Sequence, residues 1–134
     1  MVTLEAILER NNLNRAYKQV KANRGGPGVD GMTVDELLDY LRAHAVEIVE
    51  TVKAGKYKPQ PVRRVMIPKE EKGKFRPLGI PTAVDRVIQQ AIAQKLSDEY
   101  EPVFSLHSHG FRPCRSCRTA IDEALDIANQ GYVW

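Results

Sequence analysis

The chain has 134 residues, room for one small core but too few for a complete polymerase or most two-domain enzymes. Apolar residues make up 43% and charged residues 28%, which excludes a disordered composition, and no apolar stretch reaches the ~18 residues that a membrane span needs. The formal charge of +3 is unevenly placed: residues 51–86 hold 10 Lys/Arg against 3 Asp/Glu, while the segments on either side are each slightly acidic, and such a concentration points to a polyanionic partner.

In chain order, Leu4, Ile7 and Leu8 make a short apolar stripe that breaks at Asn11-Asn12. Asn12 is placed to cap a second helix carrying Leu13, Ala16, Tyr17 and Val20, which ends near Asn23 because Gly25-Gly26-Pro27-Gly28 cannot continue it. Glycines in that loop would let backbone approach a ligand and offer N–H groups to phosphate oxygens. The loop lacks the Lys-Ser/Thr ending of a P-loop and the G-x-G-x-x-G spacing, so a plain helix-to-loop break accounts for it better. Thr33 and Glu36 form a capping box, and Val34, Leu37, Leu38, Leu41, Ala45, Ile48, Val49 and Val52 follow at helical spacing until Gly55 stops the helix.

From Tyr57 the texture changes. Val62 to Ile67 is β-rich between Pro61 and Pro68, and Phe75 to Ile80 is a second short run, with polar Lys69 to Lys74 between them. These predict a β-hairpin with a basic tip. Thr82 caps a further helix with Asp85 in its first turn and Val84, Val87, Ile88, Ala91, Ile92 and Leu96 on one face. Ser116 or its neighbour opens a last helix along Ala120, Ile121, Ala124, Leu125 and Ala128, closed by Gly131. Tyr132-Val133-Trp134 reads as the start of a strand, either a short edge strand or an element cut from a longer protein. His44 reads as a surface or half-buried residue of the long helix, Gln89-Gln90 as a polar flank, and Met32 and Met66 as packing residues.

Lys69 at the hairpin turn and Arg76 in its returning arm can point into one space. Lysine is a compact charge and arginine a planar fork that takes two phosphate oxygens, so the pair suits a triphosphate or a nucleic-acid backbone. Arg63 and Arg64 are adjacent on a strand and face opposite sides of it, so one of them can share that ligand and stack on a base. Solvated charges that keep an edge strand soluble explain the same pattern equally well.

Five strings, in this order, carry a resemblance: N-R-G-G-P-G-V-D-G from Asn23, P-V-R-R-V-M-I-P-K from Pro61, F-R-P-L-G-I-P-T from Phe75, D-R-V-I-Q-Q-A-I from Asp85 and H-G-F-R-P-C-R-S from His109. Together they resemble the N-terminal part of group II intron-encoded reverse transcriptases, also called maturases, from about Leu13 to Trp134. The resemblance implies an α+β fold, the mostly helical fingers subdomain of a right-hand polymerase with a small antiparallel β-hairpin. It divides the chain into an N-terminal extension (1–32), fingers (33–115) and the start of a palm (116–134). It implies that Lys69 and Arg76 reach the triphosphate of the incoming dNTP, with Phe111 and Arg112 bracing that pocket. It implies further that Arg63 and Ile80 pack near the templating base and that the loop of Gly25, Gly26 and Gly28 touches template backbone, with Arg64 as a further RNA contact.

What the resemblance also implies is missing here. Polymerases hold two metal ions on carboxylates; in this family the first such Asp follows a G-Y-x-W/Y-like stretch and two more lie in a Y-A-D-D turn, whereas this chain stops at Trp134. Its acidic pairs, Asp35-Glu36, Glu70-Glu71, Asp98-Glu99 and Asp122-Glu123, fall on predicted helices or the hairpin turn. The expectation is therefore a fragment with no catalytic residue of its own, inactive alone, whose Mg2+ ligands lie outside the chain and which needs no cofactor itself. The expected partners are template RNA, intron RNA, DNA primer or cDNA, and dNTP, with no membrane. The alternative is an intron-RNA-binding splicing module that does not polymerise. His107, His109, Cys114 and Cys117 lie within eleven residues and are competent zinc ligands, but an H-x-H pair and a cysteine at a helix start suit a closed tetrahedral site poorly. Two cysteines this close do not staple a secreted scaffold and the N-terminus has no apolar signal segment, so the expected compartment is cytoplasmic.

Overall fold

Asn12, Ala16 and Val20 recur at steps of four, and Val84, Val87, Ala91 and Gln94 at steps of three and four, the spacing that puts side chains on one helix face. In a computed structural model, which describes residues 1–131, both sets are buried. The order of elements is α1 (Leu4–Ile7), α2 (Arg10–Ala22), α3 (Leu37–Lys53), β1 (Arg63–Pro68), β2 (Phe75–Ile80), α4 (Ala83–Tyr100), a 3-10 turn (Glu101–Val103) and α5 (Cys117–Asn129). The fold is α+β, helices with one two-stranded antiparallel sheet. The anticipated strand at Tyr132-Val133-Trp134 lies outside the described residues. Among those residues no helix is long and apolar enough to cross a membrane.

The chain divides into two compact units, Met1–Leu96 and Ser97–Trp134. In the first, Ala16 and Val20 of α2, Val34 and Leu37 at the start of α3, and Ala83, Val84, Val87 and Ala91 of α4 form one buried cluster. Met32, Leu41 and Ile48 pack at its margin, as expected for Met32. Asn12 does not cap α2. The helix begins two residues earlier, at Arg10, and Asn12 is buried in its first turns, where its amide donates to the Ile7 carbonyl at 2.8 Å and the Ala91 carbonyl at 2.9 Å. Gln94 completes the bridge by donating to Asn12 Oδ1 at 2.9 Å. The polar ends of two otherwise apolar stripes thus satisfy each other, as buried amides must.

The capping box at Thr33 and Glu36 is present: the Thr33 N–H donates to Glu36 Oε2 at 2.9 Å and the Glu36 N–H to Thr33 Oγ1 at 3.4 Å. Residues 34–36 form a turn, and the helix proper starts at Leu37, later than the periodicity indicates. Its end is a Schellman motif in which the Lys56 N–H returns to the Thr51 carbonyl at 2.9 Å and the Gly55 N–H to Val52 at 3.0 Å. Gly55 has φ +66°, a conformation that favours glycine. His44 is half-buried, with its ring stacked on Tyr40 at 4.2 Å.

The second unit is built differently. From Ser97 to Gly131 no described residue is buried, and the half-buried ones are nearly all polar. Ser116 caps α5, exchanging hydrogen bonds with Thr119 as expected. The stripe on α5 that includes Ile121 and Leu125 is 59% and 55% exposed at those positions, so the periodicity is right while the burial it anticipates is not found among the described residues.

Candidate nucleic-acid interface

The register of the hairpin decides what the sequence leaves open. Arg63 pairs with Ile80, Val65 with Leu78 and Ile67 with Arg76, and the Lys69 N–H closes the turn on the Lys74 carbonyl at 2.9 Å. Since alternate residues share a face, Arg63, Ile80, Arg76 and Lys69 all stand on one side of the sheet. Arg64 pairs with Gly79 and stands on the other, with Met66, Pro77, Pro68 and Phe75. Met66 is 51% exposed there and is not a packing residue, because a two-stranded sheet leaves its outer face uncovered.

Lys69 and Arg76 line one open recess of about 420 Å³ together with Ile67, Pro68, Glu70 and Glu71. Glu71 is ion-paired with Lys74. Among the described residues no acidic side chain is paired with Lys69 or Arg76, so a mobile point charge and a planar fork border the same space. Neither strand contains an Asp or Glu. Chemically, the recess suits a group carrying several anionic oxygens.

At the other end of the same face lies the glycine loop. Gly28 is buried against the start of α4, where a methyl on it would stand 2.7 Å from the Thr82 Cα and 2.8 Å from its N. A methyl on Gly25 would run into the Arg86 guanidinium, and one on Gly26 would come within 3.5 Å of Arg63 Nη2. Gly28 is thus required by the protein's own packing against backbone, which the sequence does not reveal, whereas Gly25 meets only the end of a flexible side chain. Arg86 Nη2 donates to the Gly26 carbonyl at 2.9 Å, while its buried Nε has no partner among the described residues. Arg86 also borders, with Asn23, Gln89 and Gln90, a shallow groove beside the loop. Gln89 is exposed, whereas Gln90 is half-buried and reaches Gln94 at 3.3 Å.

The residue before Arg86 fixes the hairpin. Asp85 is only 3% exposed, and its carboxylate accepts from the Tyr57 hydroxyl at 2.5 Å, the Gln60 N–H at 3.0 Å and the Thr82 hydroxyl at 2.8 Å. Tyr57 and Gln60 belong to the segment that leads into β1, so this one side chain ties the approach to the sheet onto the first turn of α4. Burial, and next to it the Asp85 carboxylate, hold the Tyr57 hydroxyl well above its ordinary pKa of 10.0. Thr82-x-x-Asp85 is visible in the sequence as a cap; its reach to residues 57 and 60 is not. Asp85 and Arg86, neighbours in sequence, therefore hold the hairpin and the glycine loop respectively.

Phe111 and Arg112 belong to the second unit. Phe111 has φ +56° and is fully exposed. Arg112 is spent on the protein itself: Nε and Nη2 donate to Glu101 Oε1 at 3.0 and 2.9 Å, Nη1 donates to the Ser105 and Ser108 carbonyls at 2.7 and 2.9 Å, and Nη2 also reaches the Glu101 carbonyl at 3.4 Å. Its guanidinium carbon lies 5.2 Å from the centre of the Phe104 ring. All its donors are used in folding the segment from 101 to 112. His107 and His109 both hydrogen-bond the Glu123 carboxylate, and His109 also contacts the Thr119 hydroxyl at 2.9 Å. Cys114 and Cys117 are free thiols and exposed. Among the described residues no group of three or more His, Cys, Asp or Glu could hold a metal ion, so no metal chemistry is derived from them.

No family model matches the chain. It is 44% identical over 106 residues to the group II intron-encoded protein LtrA of Lactococcus lactis subsp. cremoris, 79% of this chain and 18% of that protein. It is 42% identical over 120 residues to protein YkfC of Escherichia coli K12, covering 88% of this chain and 31% of the relative. A putative COX1/OXI3 intron 2 protein of Saccharomyces cerevisiae is 36% identical over 109 residues, 79% of this chain and 12% of its own length. The resemblance read from the five strings is therefore borne out as kinship with group II intron-encoded proteins, and the chain spans less than a third of each of these relatives.

Proposed function

We infer, from a chain related over most of its length to group II intron-encoded proteins, that it is the template- and nucleotide-handling segment of an RNA-directed DNA polymerase. The observation that carries this reading is the single hairpin face that sets Lys69 and Arg76 in one recess, with Arg63 and Ile80 further along and the glycine loop at its base. Lys69 and Arg76 bind the phosphates of a dNTP. Arg63 and Ile80 meet the templating base, and Gly25, Gly26 and Gly28 carry the loop along the template backbone. Residues 1–32 serve as an N-terminal extension, 33–115 as fingers and 116–134 as the start of the palm.

Arg112 contributes by holding its loop and not by touching phosphate, since its donors already have protein acceptors. That loop presents the exposed Phe111. The Mg2+ that phosphoryl transfer uses is held by carboxylates outside these residues. The chain alone is then inactive: template, primer, dNTP and Mg2+ give no extension product, and incorporation above a blank would sink the fragment reading.

A second reading, an intron-RNA-binding splicing module, is favoured by the basic 51–86 segment, which serves an RNA backbone as readily as a nucleotide. The two part on one measurement, made on the longer protein that carries this segment. Lys69→Ala and Arg76→Ala are expected to raise the KM for dNTP by about tenfold or more while leaving intron-RNA affinity within about twofold, from the loss of a charge-assisted phosphate contact. An equal fall in RNA affinity with dNTP use unchanged would make RNA binding their role.

A further inference from the structure

We propose that the outer face of the hairpin is a second nucleic-acid surface, one that stacks two or three unpaired bases of single-stranded RNA through Phe75 and Arg64. The inference rests on the reading of this protein as an RNA-handling one, but its residues lie on the face opposite Lys69 and Arg76. Register puts Arg64, Met66, Pro77 and Phe75 together there. Phe75 is 54% and Met66 51% exposed, and Arg64 is exposed between them and the end of the sheet.

Three observations select the occupant. The face carries an aromatic ring and a guanidinium, two flat groups onto which bases stack without regard to sequence. Neither strand contains an acidic side chain, and the surrounding segment holds 10 Lys/Arg against 3 Asp/Glu, so the local field attracts a polyanion and disfavours a basic partner. The face is also small: six residues per strand at ~3.3 Å each and two strands ~4.8 Å apart give roughly 200 Å². A stable protein partner needs about 800 Å² on each side, whereas small sheets with exposed aromatics stack two or three bases. Gly79, paired with Arg64, makes room for the Val62 side chain at the end of the sheet: a methyl there would stand 2.9 Å from Val62 Cγ2.

The test is binding of the 134-residue chain to a fluorescent single-stranded oligoribonucleotide and to a blunt RNA duplex of the same length. Phe75→Ala is expected to weaken single-strand binding about tenfold with an unchanged salt slope, and duplex binding by less than twofold, because stacked bases are unavailable to it. Phe75→Trp is expected to restore affinity, and its fluorescence to be quenched when single-stranded RNA binds, which rules out loss through misfolding. Arg64→Ala should reduce both the affinity and the slope of log K against log salt. Wild-type single-strand affinity in Phe75→Ala, with Arg63→Ala on the other face weakened, would overturn the second surface and leave the first intact. If the wild-type chain binds neither RNA, both readings fall. If Phe75→Ala abolishes self-association seen by sedimentation and leaves RNA affinity unchanged, the face is a protein contact and the proposal is wrong.

Discussion

Residues before and after Leu96 are held together by different physics. The earlier unit has a dry cluster in which Leu37, Ala16, Ala83 and Ala91 are completely buried. The later one buries no described residue and is laced by Arg112 to Glu101, by two histidines to Glu123 and by Arg115 to the Leu106 carbonyl. Apolar burial is nearly indifferent to salt and pH, whereas charged ties respond to both. A rigid scaffold under the hairpin and glycine loop, and a conditionally ordered segment around Phe111, follow from that contrast.

The comparison breaks most easily at Leu37. Leu37→Ala removes the largest fully buried apolar side chain and is expected to cost about 3 kcal/mol, from a cavity among α2, α3 and α4. Urea unfolding followed by circular dichroism measures it, and a loss below about 1 kcal/mol would mean that the first unit has no effective core. Gly28→Ala comes next, at about 2 kcal/mol, because its methyl meets backbone that cannot step aside. Gly25→Ala should cost under about 1 kcal/mol, since the Arg86 guanidinium it meets ends a flexible side chain. Its effect should appear instead as weaker RNA binding, through the lost seat on Gly26. Equal destabilisation by the two alanines would refute this division.

Arg112→Ala sharpens the contrast from the other side. Removing it leaves the Glu101 carboxylate and the Ser105 and Ser108 carbonyls without their donor, for about 1.5 kcal/mol of local stability. Hydrogen exchange should show faster amides from 101 to 116 and unchanged protection in α2. Loss of protection in α2 to the same degree would show that the two regions unfold as one.

Much of this was legible in the sequence, for reasons that also explain the misses. Caps and stops are local, so Thr33-Glu36, Gly55, Thr82 and Ser116 were readable from neighbours alone. The hairpin was readable too, but not which of Arg63 and Arg64 joins Lys69, because a one-residue slip exchanges every side chain between faces. Asn12 misled because the same residue type that caps helices also stood at a buried position of the stripe through Ala16 and Val20; the pairing with Gln94, 82 residues away, decided the matter. Burial of Asp85 and the wedge between Gly25 and Arg86 are contacts at long sequence separation, and no spacing rule encodes them. The exposed face of α5 illustrates the converse: periodicity tells which side chains share a face, not what covers them.

The smallest effect concerns the tie between the histidines and Glu123. Hydrogen bonds from His107, and next from His109, hold the Glu123 carboxyl below its ordinary value of 4.5. A carboxyl depressed on folding contributes stability above its unfolded pKa and loses that contribution as pH falls through the lower folded value. Comparing wild type with Glu123→Gln isolates it. Near pH 6 the wild-type amides around His107 and His109 should exchange more slowly than those of the variant, and the gap should close as pH drops below about 4.5, with α2 unaffected throughout. The site is exposed, so the gap is small and should narrow further in high salt. A gap that does not shrink as pH falls, or that widens, would mean that the loop is held by packing after all, and the line drawn at Leu96 between apolar and charged cohesion would not stand.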